Sequence, residues 1–458
     1  MSRPLPGPAD RGQGQLLTVL GLAFGLAGSV GGTIGAGILI TPGLVAAQLP
    51  SAPLVLAAWL LGGLYALLGA VCIAELAASL PQAGGWYVYT ERAFGRRTGA
   101  LTGWTDWLAH CIGLAWVATS AGDLLANILP LPEAIHPALW ARSLALLLLG
   151  LFSAIQLLGV RAGGASQELL SLAKAAALLG LCVLCFLLPG PFSSEAAANG
   201  FGSSDLHPDQ LPMASVLALQ AIITTYDGWA SPVYFAEEFS NPAKDLPRSL
   251  IGGVLAVIGL YLLINVSLLH VLPLGVLANA NLPAAEAARA LLGPHGGQVI
   301  SAVALLAMLG LINTVVMAAP RILYGLGREG LLPATMAGVS PSGTPRPALL
   351  ITSGCAAVLL LLGSFERLLA MGAVLYVVLP LMGTAALIRL RIQEPELDRP
   401  FRSWAYPLAP VLVGGVSLTF LIGCLWSNIQ DCLIAIGLVG IGSLATTLRP
   451  NLQGDVQR

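Results

Sequence analysis

GGTIGAGILITPG, residues 31–43, decides how this chain is read. It overlaps an uncharged apolar run, Leu16–Ile40, that is long enough to cross a bilayer. Four of its glycines, Gly31, Gly32, Gly35 and Gly37, fall within seven residues. Glycine weakens a helix interior by about 1 kcal/mol relative to alanine, so this span is expected to be interrupted at Gly31–Gly37. Irregular backbone survives at membrane depth only where protein or a water-filled cavity satisfies it. A break here is therefore a candidate site built from main-chain groups. Glycine also permits close helix packing in membranes, and Gly25, Gly28, Gly62 and Gly63 read that way.

The composition around this stretch sets the class. Hydrophobic residues make up 56% of the 458 and charged residues 9%, with a mean hydropathy of +0.84. A soluble chain carries about 25% charged residues, so an all-α polytopic membrane protein follows, with the lipid bilayer as its surroundings. Twelve apolar runs have spanning character: 17–40, 54–80, 99–128, 139–158, 167–188, 213–236, 248–271, 297–324, 348–363, 367–390, 405–424 and 429–447. No cleavable signal peptide is expected, because the first run continues into a spanning pattern. Of the 21 Lys and Arg, seventeen fall in the tails and one alternate set of loops. Arg142, Arg289 and Arg367 fall in the other set, and Lys174 lies inside a run. The positive-inside rule then places both termini in the cytoplasm.

Several function classes fall away at this level. A net charge of −1 points to no nucleic acid, and the seven cysteines lack zinc spacing and read as small apolar helix residues. No metal or cofactor is expected. The loops leave no room for a soluble domain, and His110 and His270, the two histidines inside runs, are far apart, so no intramembrane enzyme centre is expected. No repeated charged ring or filter motif suggests a channel.

A second unusual stretch, TTYDGWASPVYFAEEFSNPAKDLPRS (224–249), begins inside the sixth run. Asp227 and Gly228 lie mid-run and Pro232 follows. A carboxylate at membrane depth is costly unless paired or wet, and proline removes a helix bond. A break at 225–229 is expected. Interrupted first and sixth runs, five apart, form the pattern of an inverted repeat. The free N–H groups of one half-helix suit a carboxylate and the free C=O groups of the other suit an ammonium. Together they match the two charged ends of a free amino acid.

At these residues a family resemblance emerges. GGTIGAGILITPG is similar to the first-span signature G-S-x-I-G-x-G-I of the amino acid–polyamine–organocation transporters. AELAASLPQAGGWYVYTERAFG (74–95), the 224–249 stretch, RILYGLGREGLLPATMAGVSPSGTPRPA (321–348) and RIQEPELDRPFRSWAYP (391–407) resemble further motifs of that family in the expected order. Its L-amino-acid transporter and serine/threonine exchanger branches are the most similar. The resemblance implies the leucine-transporter fold: twelve helices, a 5+5 inverted repeat, and helices 1 and 6 broken. It divides the chain into a cytoplasmic tail (1–15), a first repeat (16–190), an extracytoplasmic loop (191–212), a second repeat (213–392), a cytoplasmic loop (393–404), two further helices (405–447) and a cytoplasmic tail (448–458).

The resemblance also implies roles. The first-span break, Thr33, Ile34, Ala36 and Gly37, would bind a substrate carboxylate through backbone N–H groups. Ala36 stands where many relatives carry serine. Thr224, Thr225, Tyr226 and Asp227 would form the amino-group side. Thr224 replaces an aromatic gate of relatives, so Tyr226 or Trp229 is expected to gate. Asp227 either pairs with a cation or satisfies freed N–H groups. In sodium-coupled members of the fold an ion bridges spans one and eight. In the branch resembled here a fifth-span lysine takes its place, which assigns Lys174 to hold the first-span break and to serve coupling, against the alternative of snorkelling to the interface.

Weaker candidates remain. Asp106 and His110, four apart, share a helix face; a structural role competes with a functional one, as it does for Asp123 and Asn127. Glu75 is expected to anchor the inner end of span two. Glu237 and Glu238 are expected to pair with Arg92, Arg96, Arg97 or Arg248. The implied function is sodium-independent transport of neutral amino acids by alternating access, as exchanger or proton symporter, with polyamine or cationic amino acid transport as the alternative that Asp227 argues for. Eukaryotic exchangers of the family join a single-pass partner through a cysteine between spans three and four. LPLPEAIHPALW (129–140) has none, so no disulfide-linked partner is expected. The composition fits a bacterial cell membrane.

Overall fold

The computed structural model describes residues 15–131, 135–188, 210–427 and 429–447. Most of the expected 191–212 loop and nearly all of both tails lie outside them. The longer elements are α-helices: α1 (Leu22–Thr33), α2 (Gly37–Gln48), α3 (Ala52–Ser79), α4 (Trp86–Phe94), α5 (Arg96–Ile128), α6 (Pro137–Leu158) and α7 (Val160–Leu187) come first. Then follow α8 (Leu211–Tyr226), a 3-10 segment (Ser231–Glu238), α9 (Pro242–Val271), α10 (Leu274–Asn279), α11 (Pro283–Leu292), α12 (Gly296–Arg328), α13 (Arg346–Leu362), α14 (Phe365–Gln393), α15 (Leu408–Ser427) and α16 (Ile429–Thr447).

Among the described residues, eight helices are long and apolar enough to cross a membrane singly, and α1 with α2 adds a ninth span bent by 47°. The other three expected runs are shorter helices: α8, which stops where the chain breaks, α13, and the Ile429–Gly442 part of α16. The first span reaches Gln48, eight residues past the expected Ile40. After the break the helix restarts at Gly37, and Pro42 falls inside it. A proline there removes one bond and distorts the turn, but the helix continues.

The bundle is built with its apolar side out. Leu60, Leu61 and Leu64 on α3, Leu147 and Leu151 on α6, and Leu169 and Leu172 on α7 are exposed. Lys174, Glu75, Asp106, Glu238 and Arg321 are buried. Apolar surface facing lipid loses nothing by exposure, whereas buried charges must be paired. Among the described residues no disulfide joins the seven cysteines.

At the end carrying most of the basic loops, buried ion pairs tie the helices. Glu238 and Arg321 meet through two bonds of 2.8 and 3.0 Å with both side chains almost fully buried. The Arg321 guanidinium lies over the Phe235 ring at 4.9 Å. Arg328 binds Glu237. This corrects the expected partners: the cations come from α12, because the 3-10 segment lies against it. Arg92 instead reaches Glu394 and Arg96 the Glu329 carbonyl. Glu75 does anchor α3, accepting from Arg391, Arg399 and the Ser403 N–H. A parallel bridge joins the entry of span one to the exit of span six, Leu20 N–H to Glu238 O and Ser240 N–H to Leu20 O, both 2.9 Å.

Breaking the buried pair from one side strands the other charge. Arg321→Met is expected to destabilise by roughly 3–5 kcal/mol, and Arg321→Met with Glu238→Leu to recover most of that loss. Thermal unfolding of the purified variants in one detergent measures the difference; equal losses in single and double variants would contradict it.

Candidate functional site

Both expected breaks are present. α1 ends at Thr33, Ile34 is extended (ψ 96°), and α2 restarts at Gly37. α8 ends at Tyr226, Asp227 is extended (ψ 158°), and Gly228 has φ +100°. The two breaks touch main chain to main chain. A Cβ on Gly228 would stand 2.2 Å from the Gly32 carbonyl oxygen, and one on Gly32 2.5 Å from the Gly228 oxygen. Only glycine allows that approach, and at Gly228 only glycine adopts the positive φ without strain. The Gly228 carbonyl also accepts from the Ser231 hydroxyl at 2.7 Å.

Three sets of side chains hold the breaks open. Tyr261 on α9 shares its hydroxyl between the Thr33 carbonyl (3.0 Å) and the Thr225 carbonyl (3.3 Å), so one residue pins both. The Thr225 hydroxyl donates to Ala221 O, so it accepts from Thr41 at 2.7 Å and joins α8 to α2. Lys174 is fully buried, and its Nζ donates to Gly31 O (2.5 Å) and Ile34 O (2.8 Å). It does not snorkel. Its amine also abuts Gly310 of α12, where a Cβ would lie 3.1 Å away. The ammonium thus lies between the first and eighth spans.

The lysine belongs to a polar seam. Ser171 donates to Ala27 O at 2.8 Å, Asn313 donates to Gln167 at 2.8 Å, and Gln156 and Ser166 donate to Asn313. Gln167, Ser171 and Lys174 are spaced i, i+4, i+7, one face of α7. That periodicity is written in the sequence and would have flagged all three, but only the charged member was singled out. Nothing local distinguishes Tyr261, which lies in an unbroken apolar run.

The expected site residues separate into two groups. Gly35, Ala36 and Gly37 are partly exposed, and Thr224 and Asp227 are exposed although they lie mid-bundle. Gln220, Thr224 and Asp227 follow one face of the sixth span. Asp227 lies within electrostatic reach of Tyr65, His110 and Tyr376 on three other helices, so this face borders an accessible space inside the bundle. Thr33, Ile34, Thr225, Tyr226, Trp229 and Lys174 are buried behind it. The Thr33 hydroxyl is engaged by Ser29 O. Tyr226 packs on Trp59 and Tyr261, and Trp229 on Gly69.

The chemistry available is that of a zwitterion site. The first turn of α2 leaves N–H groups without intrahelical partners, and the last turn of α8 leaves carbonyls. Among the described residues no His/Cys/Asp/Glu cluster could hold a metal ion.

Comparison with known proteins adds the lineage. The profile described as amino acid permease matches residues 15–439. The serine/threonine exchanger SteT of Bacillus subtilis is 28% identical over 436 residues, covering 93% of this chain and 95% of that protein. The Asc-type amino acid transporter 1 of Mus musculus is 29% identical, covering 81% and 70%. The b(0,+)-type amino acid transporter 1 of Homo sapiens is 27% identical, covering 84% and 78%.

The backbone contact predicts an asymmetry between glycines. Gly228→Ala is expected to lower the melting temperature clearly, by several degrees for a loss of about 2 kcal/mol or more. Gly259→Ala, with nothing within 4 Å of its Cβ, is expected to leave it unchanged or raised. Differential scanning fluorimetry of both variants decides; a neutral Gly228→Ala would contradict the contact.

Proposed function

Since this chain belongs to the amino acid permease family, we propose that it moves neutral amino acids across the cell membrane by alternating access, independently of sodium. The family and the relatives are amino acid transporters and not enzymes, and this chain is an amino acid transporter. The fold is the all-α polytopic one of that family, with helices 1 and 6 broken. The finer assignments are this reading's own. Both termini face the cytoplasm of a bacterial cell, the basic end being the inner end. Residues 16–190 and 213–392 are the two repeats, with 191–212 outside, 393–404 inside and 405–447 added to the core. No covalently bound partner chain takes part.

The observation that carries the reading is the place of Lys174. A fixed ammonium bonded to the Gly31 and Ile34 carbonyls, against α12, supplies the positive charge that a bound cation would bring between spans one and eight. The substrate carboxylate is assigned to the N–H groups of Ala36 and Gly37 beside Thr33 and Ile34, and the ammonium to the carbonyl end of α8 at Thr224, Thr225 and Tyr226, with Asp227 next to it. Ala36 offers its N–H and no hydroxyl, which suits a generic carboxylate. Trp229 and Tyr226 act as the gate, leaning on Gly69, Gly62 and Gly63 of α3, so gating requires the sixth span to shift along α3. Likeness to a serine/threonine exchanger along nearly its whole length supports exchange of small neutral amino acids. The exposed Asp227 carboxylate supports a second reading, a cationic substrate.

Counterflow of labelled amino acids into proteoliposomes tests this. Serine, threonine and other neutral amino acids are expected to enter preloaded vesicles without sodium. Lys174→Ala leaves two buried carbonyls without their donor, about 1–3 kcal/mol each, and is expected to lower the rate at least tenfold with folded protein recovered. A sodium requirement, or full activity of Lys174→Ala, would sink the reading; a preference for arginine or lysine would select the second.

A further inference from the structure

Away from both breaks, α5 carries a buried acid–imidazole pair beside the 3-10 segment of the sixth span. The Asp106 side chain has no exposure, while that of His110 keeps 9%. His110 Nδ1 lies 2.9 Å from the Asp106 carbonyl oxygen and 3.1 Å from Asp106 Oδ1. Both are acceptors, so Nδ1 carries its hydrogen and Nε2 is the nitrogen free to gain a proton. Asp106 Oδ1 also accepts from the Tyr234 hydroxyl at 3.0 Å, and that hydroxyl accepts from the Trp86 indole N–H at 2.9 Å. Asp106 Oδ2 is buried with no hydrogen-bond partner among the described residues. Buried carboxylates ordinarily have their oxygens satisfied, so this oxygen marks an incomplete site.

The charge around the pair is unbalanced. Asp227, at the sixth-span break, is the second carboxylate in electrostatic reach of His110. Tyr234 from the 3-10 segment and Tyr376 from α14 pack their rings on the imidazole at 4.9 and 5.7 Å. Cys111, the next residue on α5, lies within electrostatic reach of Tyr376 and pairs by hydrogen bond with Cys355, and no lysine or arginine is among the electrostatic partners of Asp106, His110, Tyr234 or Tyr376 in the described residues. One imidazole therefore serves a buried carboxylate in contact with it and a second, exposed carboxylate within electrostatic reach. A single added proton offsets the surplus negative charge.

We propose that Asp106 and His110 form a proton-binding site, reached from the central space through His110, that controls how firmly Tyr234 holds the inner half of the sixth span. The inference rests on the transport reading above for its consequence, not for its chemistry. A proton arriving at Nε2 gives an imidazolium, and Nδ1–H then passes its proton to Asp106 Oδ1. The imidazole is left neutral with its hydrogen on Nε2, and Asp106 is a neutral acid. While Asp106 is ionised, Tyr234 donates to a charged acceptor, the stronger kind of bond. Once Asp106 is neutral that bond weakens, and the 3-10 segment is freer to leave α5 and α4. Asp227 links this site to the substrate, since an ammonium beside Asp227 and a proton taken up by the Asp106–His110 pair relieve the same excess charge.

Two measurements test the proposal on the full chain. Infrared difference spectra of the purified protein on acidification are expected to show a carboxylic-acid C=O band that is missing in Asp106→Asn. Serine counterflow from about pH 5.5 to 8 is expected to change roughly fivefold or more in the wild type and less than twofold in Asp106→Asn and His110→Gln, with counterflow retained. Should Asp106→Asn fail to fold, His110→Gln decides, because it keeps the carboxylate and loses the proton entry. No such band in the wild type, or a wild-type pH profile in His110→Gln, overturns the proposal. A wild type that shows the band but no counterflow of any amino acid overturns the transport reading and leaves the proton site standing.

Discussion

At the centre of the bundle two main chains meet without a side chain between them. Gly32 and Gly228 each place a carbonyl where any Cβ of the other would stand. This contact brings the two breaks together, where each half-helix end frees backbone groups. Everything else near the site manages the consequences. Freed backbone groups at membrane depth must be satisfied by protein or water, and here they are divided between the two. Tyr261 and Lys174 take the carbonyls of Thr33, Thr225, Gly31 and Ile34, while the start of α2 stays open to the central space.

The choice of donors has mechanical meaning. Tyr261 comes from α9 and Lys174 from α7, so the broken spans are pinned by unbroken ones. The Gln167–Asn313–Gln156 network then ties α7 to α12 and α6. A rigid frame therefore grips a hinged pair, which is the arrangement that rocking or gating of one bundle against another requires. The hinge is not gripped evenly. From Asp227 toward Glu238 the sixth span becomes largely buried, and the Leu20–Phe239 bridge and the Glu238–Arg321 pair tie that end. Toward Gln220 the same span is exposed on one face.

Three groups of polar residues have different tasks. Ion pairs at the basic end join α12 to the 3-10 segment and α3 to α14. The lysine seam sits level with the first break. The Asp106–His110–Tyr234–Trp86 chain holds a buried carboxylate oxygen with no partner among the described residues. Ionic seals need their partners in place to avoid stranded charge, so they favour two discrete states, held or released. A site that takes up a proton can bias such a choice.

The sequence by itself determined the class, the two breaks and the sign of the charges that matter. Uncharged runs, glycines clustered in one span and Asp-Gly in the matching span are local features whose physics does not depend on neighbours, and Lys174 stands out because an ammonium inside an apolar run must find a partner. Only the tertiary structure decided which partner each group found. Glu237 and Glu238 were legible as carboxylates that pair with arginine, yet their arginines are Arg321 and Arg328 of α12, since pairing depends on which helices touch. Tyr261 carried no signal at all: one hydroxyl in an apolar helix gains its role from two carbonyls brought to it by other segments. Thr225, Tyr226 and Trp229 lie in the right stretch but face α2 and α3, because the direction of a side chain at a helix break is set by what packs behind it. A break can be read from composition; what faces the space it opens is a property of the assembled bundle.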